Sequence, residues 1–338
     1  VKRLELCHAP TPIWRSARLD ELLGMQVWVK RDDMTSGASA GNKIRKLEYL
    51  LAEALELGVR TVITCGAAQS NHARATAICA RELGLSSFLL LRTSDPSAPP
   101  ASSGNLLLDR LVGARLSFIT PEQYRDRARL MERARAELAA EGIDAYVIPE
   151  GGSSGLGALG YVQAARELFE QQRAGELPDQ LDAIALACGS GGTAAGMALG
   201  LGLVPELAKR VVAMAVCDDR SYFEGIIERI VDDARRLRPE LPAAGACDVY
   251  DSFKGPAYGV PSEEQLHFML RVARETGLLL DPTYTGKALF GLSKLEPKPK
   301  RALFLHTGGL PGLLAEAGLM AGALGTATAP GDAPYRTR

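Results

Sequence analysis

The sequence predicts an α/β protein made of two three-layer units, each an open, twisted, mostly parallel sheet with helices on both faces. Three observations point there. Apolar runs of strand length alternate with helix-length amphipathic stretches, the rhythm of a covered parallel sheet. At 338 residues the chain is longer than one core usually fills. A glycine-rich, hinge-like stretch at 150–160 separates two halves that share this rhythm, which places a first cut near 150.

The elements follow in order. Residues 25–30, Met-Gln-Val-Trp-Val-Lys, alternate as a short strand. A loop rich in Ser, Gly and Ala at 32–42 leads into a helix that starts near Asn42 and stops at Gly58. Strands are expected at 61–65, 87–91, 115–119 and 145–148, separated by helices at 71–83, 105–111 and 121–141. Beyond the glycine-rich stretch a helix is expected at 161–172, then a buried strand at 183–188 that runs into Gly189-Ser190-Gly191-Gly192-Thr193 and a helix from Ala194. A strand at 211–216, helices at 222–238 and 263–276, and a last strand at 301–305 complete the pattern. The tail after Gly325 is expected to fray.

Composition narrows the function classes. Lysine and arginine total 39 against 40 for aspartate and glutamate, a formal charge of −1. No basic excess is available for phosphate-backbone binding, which argues against nucleic acid as the main partner. The apolar stretches at 183–204 and 310–329 are interrupted by glycines or proline and read as core, not as membrane spans. The start Val1-Lys2-Arg3-Leu4-Glu5 has no apolar signal core, and a cytoplasmic chain is expected. Six scattered cysteines form no close pair, so buried thiols are expected and no metal site.

The three chemically interesting loops are predicted where parallel-sheet enzymes bind ligands, at the C-terminal ends of strands: 66–72, 189–193 and 306–309. Gly189 to Thr193 joins a strand to a helix. Its backbone N–H groups and the Ser190 and Thr193 hydroxyls suit one phosphate. The glycine spacing misses the dinucleotide fingerprint, although Cys217-Asp218 at the end of the next strand keeps a weak nicotinamide alternative open. Lys43, Arg45 and Lys46 crowd the first turn of the helix after Gly41-Asn42, where cations are disfavoured. A lysine there loses its proton more easily, as Schiff-base chemistry requires; the bland alternative is a solvated basic patch. Gln69, Ser70, Asn71 and His72 stand together at a helix start that can grip a carboxylate, and Ser70 alone can serve as a helix cap. Tyr258 and Tyr284 sit in loops stiffened by proline and marked by glycine.

The order of these segments resembles the fold type II pyridoxal-phosphate enzymes, built like the tryptophan synthase beta subunit. Within them it resembles the aminocyclopropane-carboxylate deaminase and D-cysteine desulfhydrase family. The resemblance runs from Ala9-Pro10-Thr11-Pro12 to His306-Thr307-Gly308-Gly309 and is carried by Gly41-Asn42-Lys43-Ile44-Arg45-Lys46-Leu47-Glu48, Gln69-Ser70-Asn71-His72 and Gly157-Ala158-Leu159-Gly160-Tyr161. It implies that Lys43 carries pyridoxal 5'-phosphate as a Schiff base, that Asn71 meets the ring hydroxyl, and that Gly189, Ser190, Gly191, Gly192 and Thr193 hold the phosphate. It implies Ser70, Asn71 and His72 at the substrate carboxylate, and Tyr258 and Tyr284 at the reacting carbon. It also redraws the domains: a large cofactor-binding domain from 1–45 plus 156–338, a small inserted domain at 46–155, and the active site between them. Family members are usually homodimers.

Two positions separate the family's branches. Ring-opening deaminases carry a glutamate facing the pyridine nitrogen where this chain has Thr285, and a leucine where it has Thr307. A carboxylate there keeps the ring protonated and a stronger electron sink; a hydroxyl suffices when a good leaving group sits on Cβ. The resemblance therefore implies β-elimination from D-cysteine, giving sulfide, pyruvate and ammonia, with Lys43 moving the α-proton. Aminocyclopropane-carboxylate deaminase and L-cysteate sulfo-lyase are the alternatives. The sulfo-lyase would want an added cationic wall, for which Arg220 and Lys254 are the sequence's suggestions. Ala40 departs from the family pattern, where a glycine is common.

Overall fold

The computed structural model describes residues 1–326, so the tail expected to fray lies almost wholly outside the described residues. The strands are β1 (Ile13–Arg15), β2 (Gln26–Lys30), β3 (Thr61–Ala67), β4 (Ser86–Arg92), β5 (Arg115–Ile119), β6 (Ala145–Val147), β7 (Ala183–Cys188), β8 (Val211–Ala215), β9 (Cys247–Tyr250) and β10 (Arg301–Leu305). The helices are α1 (Ala17–Leu23), α2 (Lys43–Glu56), α3 (Asn71–Glu82), α4 (Gly104–Leu111), α5 (Pro121–Arg125), α6 (Arg127–Ala140), α7 (Gly155–Arg173), α8 (Gly192–Leu203), α9 (Arg220–Leu237), α10 (Glu263–Thr276), α11 (Thr285–Ser293), α12 (Leu310–Ala315) and α13 (Ala317–Thr326).

These strands form two sheets. One has the order β1-β2-β10-β7-β8-β9 and the other β5-β4-β3-β6. Every pairing is parallel except β1 with β2. The larger sheet shows why its strands read as continuous apolar runs. Ile184, Leu186, Leu303 and Leu305 point into a core with α7, α8 and α9, while Ala183, Ala185, Ala302 and Phe304 point into another with α1, α10 and α11. Both faces are dry, so no polar alternation survives.

The structure corrects several expected elements. The charged helix expected at 121–141 is two, α5 and α6, because Asp126 leaves helical geometry at φ −103°, ψ 33°. The hinge-like 150–160 stretch is largely the first turns of α7. Its glycines exist for close packing: a Cβ on Gly160 would lie 2.1 Å from the Arg45 carbonyl oxygen of α2. Strands β1 and β9 and helices α1, α11, α12 and α13 were not expected; most are too short or too uniformly apolar to show a period.

The cations of the Lys43 turn are not a solvated patch. Arg45 and Lys46 are buried. Arg45 bonds Asp32 at 2.8 and 2.9 Å and Glu167 at 2.8 Å; Lys30 bonds Glu167 at 2.6 Å, and the Tyr161 hydroxyl donates to Asp32 at 2.6 Å. This cluster ties β2 and the N-terminal segment to α2 and α7, and so anchors the helix that begins with Lys43.

Candidate active site

Lys43 is the first residue of α2, and the loop before it is held from three sides. Thr35 Oγ1 accepts from Gly41 N at 2.8 Å, Arg74 donates to the Ala40 carbonyl at 2.8 Å, and Asn42 N donates to the Thr307 carbonyl at 3.2 Å. The Lys43 amine itself makes no hydrogen bond or ion pair among the described residues. Burial lowers its pKa to about 8, against the opposing pull of Glu150. An amine with that pKa is available as a nucleophile near neutral pH.

The Gly189–Thr193 turn faces it across a small cavity lined by Asn42, Lys43, Asn71, Tyr284 and Thr307. Gly191, at φ +79°, lets the chain turn so that α8 starts with its N–H groups toward the cavity. Behind the turn, Ser153 Oγ contacts Ser190 Oγ at 2.8 Å and accepts from Gly192 N at 3.2 Å. Lys46 Nζ reaches Gly151 O at 3.1 Å, and a Cβ on Gly192 would come within 3.0 Å of it. Burial, then the neighbouring Lys43, pushes the Lys46 pKa well down. An arriving phosphate would relieve that cost. Ser153 and Lys46 give the turn a hydroxyl and a cation that the glycine spacing alone did not reveal.

The polar loop after β3 divides its work. Ser70 caps α3, accepting from Ala73 N at 3.1 Å. Asn71 Oδ1 accepts from Asn105 Nδ2 at 3.0 Å while lining the small cavity. His72 is turned toward the sheet, with Nε2 2.9 Å from Thr64 Oγ1. Thr64 gives its own proton to the Ile148 carbonyl, so His72 Nε2 is the donor and Nδ1 is left without a partner. Burial, then Lys43 and Lys46, depresses the His72 pKa well below its usual value, so the ring is neutral.

Tyr258 and Tyr284 meet hydroxyl to hydroxyl at 2.6 Å, with rings edge to face. Burial pushes Tyr258 up to about 12 and Tyr284 well above the ordinary phenol value, so both hold their protons. The Tyr258 loop is pinned by Lys287, whose ammonium donates to three carbonyls, Lys254 at 2.5 Å, Ala257 at 2.8 Å and Val216 at 3.2 Å. Lys287 was not among the sequence candidates; a buried lysine in a helix has no sequence mark.

Thr285 and Thr307 are separated. Thr307 lines the small cavity. Thr285 is buried and committed to Asp281: its hydroxyl donates to Asp281 Oδ1 at 2.6 Å and accepts from Asp281 N at 2.8 Å. Arg220 pairs with Glu224 at 2.6 Å, and neither it nor Lys254 lines the site. The basic wall comes instead from Arg92, Arg125 and Arg127, which line a larger cavity of about 690 Å³ that shares Lys43, Gly189, Ser190 and Tyr284 with the small one. In sum, the arrangement offers a reactive amine, a seat for one phosphate, a helix start suited to a carboxylate and a pair of protonated phenols.

Comparison with known proteins bears on this geometry. A family model described as pyridoxal-phosphate dependent enzyme matches residues 4–308. A protein of Arabidopsis thaliana, the mitochondrial bifunctional D-cysteine desulfhydrase/1-aminocyclopropane-1-carboxylate deaminase, is 43% identical over 95% of this chain and 81% of its own. A protein of Thermotoga maritima named "Putative 1-aminocyclopropane-1-carboxylate deaminase" is 40% identical over 93% of this chain and 98% of its own. Among solved structures, one described as an ACC deaminase homologue superposes with a TM-score of 0.86 at 35% identity, covering 95% of this chain and 96% of that one. An L-serine ammonia-lyase from Rhizomucor miehei, at 17% identity and a TM-score of 0.63 over 92% of this chain and 98% of its own, shares the fold.

Proposed function

The chain belongs to the family of pyridoxal-phosphate-dependent enzymes, and from that premise we propose a lyase of small amino acids that opens 1-aminocyclopropane-1-carboxylate and also eliminates the thiol of D-cysteine. Both curated relatives named above carry the deaminase in their names, and one carries the desulfhydrase as well. That order reverses the expectation from Thr285 and Thr307, which put D-cysteine first. The desulfhydrase reading keeps one specific support: no glutamate follows Tyr284, and Thr285 turns its proton to Asp281.

The observation that carries the lyase reading is the unpartnered Lys43 amine opposite the Gly189–Thr193 turn. The residues fit the cofactor. Lys43 would bond its aldehyde carbon; Gly189, Ser190, Gly191, Gly192 and Thr193, with Lys46 behind them, would hold its phosphate; Asn71 and Thr307 would flank its ring. When bound, pyridoxal phosphate supplies the electron sink that weakens bonds at the substrate's α-carbon. The chain supplies orientation and proton traffic. Ser70 and the first N–H groups of α3 orient the substrate carboxylate. Neutral His72 adds no charge there and serves as a wall. Lys43 Nζ, freed when the substrate's amine takes its place on the cofactor, would take the α-proton. The Tyr258–Tyr284 pair holds a proton at the departing side. In the same proposal, residues 46–155 form an inserted domain that closes over the site, and the enzyme is a homodimer.

The test is a spectrum of the holoenzyme, followed by product analysis with aminocyclopropane carboxylate, D-cysteine, L-cysteine and L-cysteate. We expect a visible band that borohydride abolishes, with the label on Lys43. We expect 2-oxobutyrate from the cyclopropane and sulfide with pyruvate from D-cysteine. Turnover of neither substrate would sink the substrate assignment; a label on another lysine would sink the role of Lys43.

A further inference from the structure

The larger cavity carries charge that the reading above leaves unused. Its lining holds Lys43, Arg92, Arg125 and Arg127 against the acidic Glu150 and Asp218. Glu150 is already engaged, by Arg127 at 2.6 Å and by the Tyr124 hydroxyl at 2.5 Å. Arg92 is different. Its guanidinium makes no hydrogen bond and no ion pair with any described residue. It lies between two rings, 4.8 Å from the Tyr124 centroid and 5.2 Å from that of Tyr258. Ring contacts of this kind fix the plane of a guanidinium but use none of its five N–H donors.

The sheet register says where those donors stand. Arg92 ends β4 opposite Ala67 of β3, and Ala68 N donates to its carbonyl at 3.1 Å. That is the C-terminal edge of the smaller sheet, beside the Ser70 loop. The ring on its other side, Tyr258, is the one whose hydroxyl meets Tyr284 at 2.6 Å. Arg92 thus lines the same cavity as Lys43, Ser70 and the tyrosine pair, against the ring of Tyr258. A planar, half-buried fork with free donors is suited to a two-oxygen or softer anion.

We propose that Arg92 forms an anion subsite for the substituent on the substrate's β-carbon. Beside the cyclopropane substrate, the site then takes small amino acids whose β-substituent is, or departs as, an anion: a sulfonate or a thiolate. This deepens the lyase reading and rests on it. It assigns to Arg92 the part for which the sequence suggested Arg220 and Lys254.

The experiment uses holoenzyme in the wild-type, Arg92→Gln and Arg92→Lys forms. Methanesulfonate, a sulfonate with no amine, is titrated calorimetrically and as an inhibitor of whichever amino acid is turned over. Loss of a charged, bidentate partner should weaken methanesulfonate about 10- to 100-fold in Arg92→Gln, with Arg92→Lys between the two. KM for L-cysteate should rise in parallel. Turnover of aminocyclopropane carboxylate, which has no anionic β-substituent, should fall by a much smaller factor than KM for L-cysteate rises. Equal methanesulfonate affinity in wild type and Arg92→Gln, or no binding to wild type, overturns the subsite. So does an equal loss on all amino acids, which would mark Arg92 as a strut between the rings. Calorimetry needs no turnover, so absence of lyase activity sinks the reaction while the subsite is decided on its own titration.

Discussion

Lys43 shows how far single residues explain the site. Its amine has no hydrogen-bond partner among the described residues, and burial has pulled its pKa from 10.5 to about 8. In the cofactor-free chain, acylation by a small amine-reactive ester should therefore rise tenfold per pH unit below about 8 and level off above it. Peptide mass mapping reads this directly. A Lys43 profile that keeps climbing to about pH 10, as for ordinary lysines, would contradict the burial argument. The same scale shows what residue type could reveal. Lys43, Ser70, Asn71, Tyr258 and Tyr284 were legible because polar groups clustered beside glycines in loops. Lys46 was legible as a cation misplaced at a helix start, but its burial was not. Arg92, Ser153 and Lys287 were silent, because each reaches the candidate site or its supports only through neighbours distant in the chain.

Helix α11 shows what an element does that its residues do not. It begins at Thr285, under the cap made by Asp281, and carries Lys287 one half-turn later into a cage of three carbonyls from the Tyr258 loop and the end of β8. Replacing Lys287 by Met strands those carbonyls. The variant should lose about 2–4 kcal/mol in urea unfolding, since each buried acceptor left unmade costs about 1–3 kcal/mol and part is regained by water. Amide exchange across 254–259 should quicken more than exchange in β7 and β8. Uniform acceleration across the chain would mean that Lys287 serves the whole fold and not this loop. Element boundaries were legible where glycine or a side-chain cap marks them, as at α10, with Ser262 before it and Gly277 after. They were not legible at the start of α7, where glycines that look like loop are required by the approach of Arg45.

At the scale of the whole molecule, the buried cluster of Lys30, Asp32, Arg45, Tyr161 and Glu167 joins segments far apart in sequence. Burial alone would raise the Asp32 pKa, but Arg45 more than reverses this and holds it below the usual carboxylate range. A carboxylate with a depressed folded pKa contributes stability above its unfolded value and loses it as pH falls through the folded one. Asp32→Asn should cost about 3–5 kcal/mol near pH 7, because Arg45 is left less compensated in the interior. The variant's deficit should shrink toward acid pH as the wild type loses the same charge. Urea midpoints measured down the pH range check this. A deficit that stays constant would place the cost in packing rather than charge.

The sequence by itself determined the class of fold, the parallel strands and the loops that line the candidate site, since period, turn residues and helix-start signals are local. It also carried the resemblance that pointed to the cofactor. The tertiary structure decided which cations are buried, which threonine reaches the cavity, where His72 points and which arginine faces the tyrosine pair. These depend on contacts between chain segments tens to more than a hundred residues apart, such as Asn42 with Thr193 and Arg45 with Glu167. No local pattern encodes a contact of that kind, because its energy exists only once both partners have been brought together and dried.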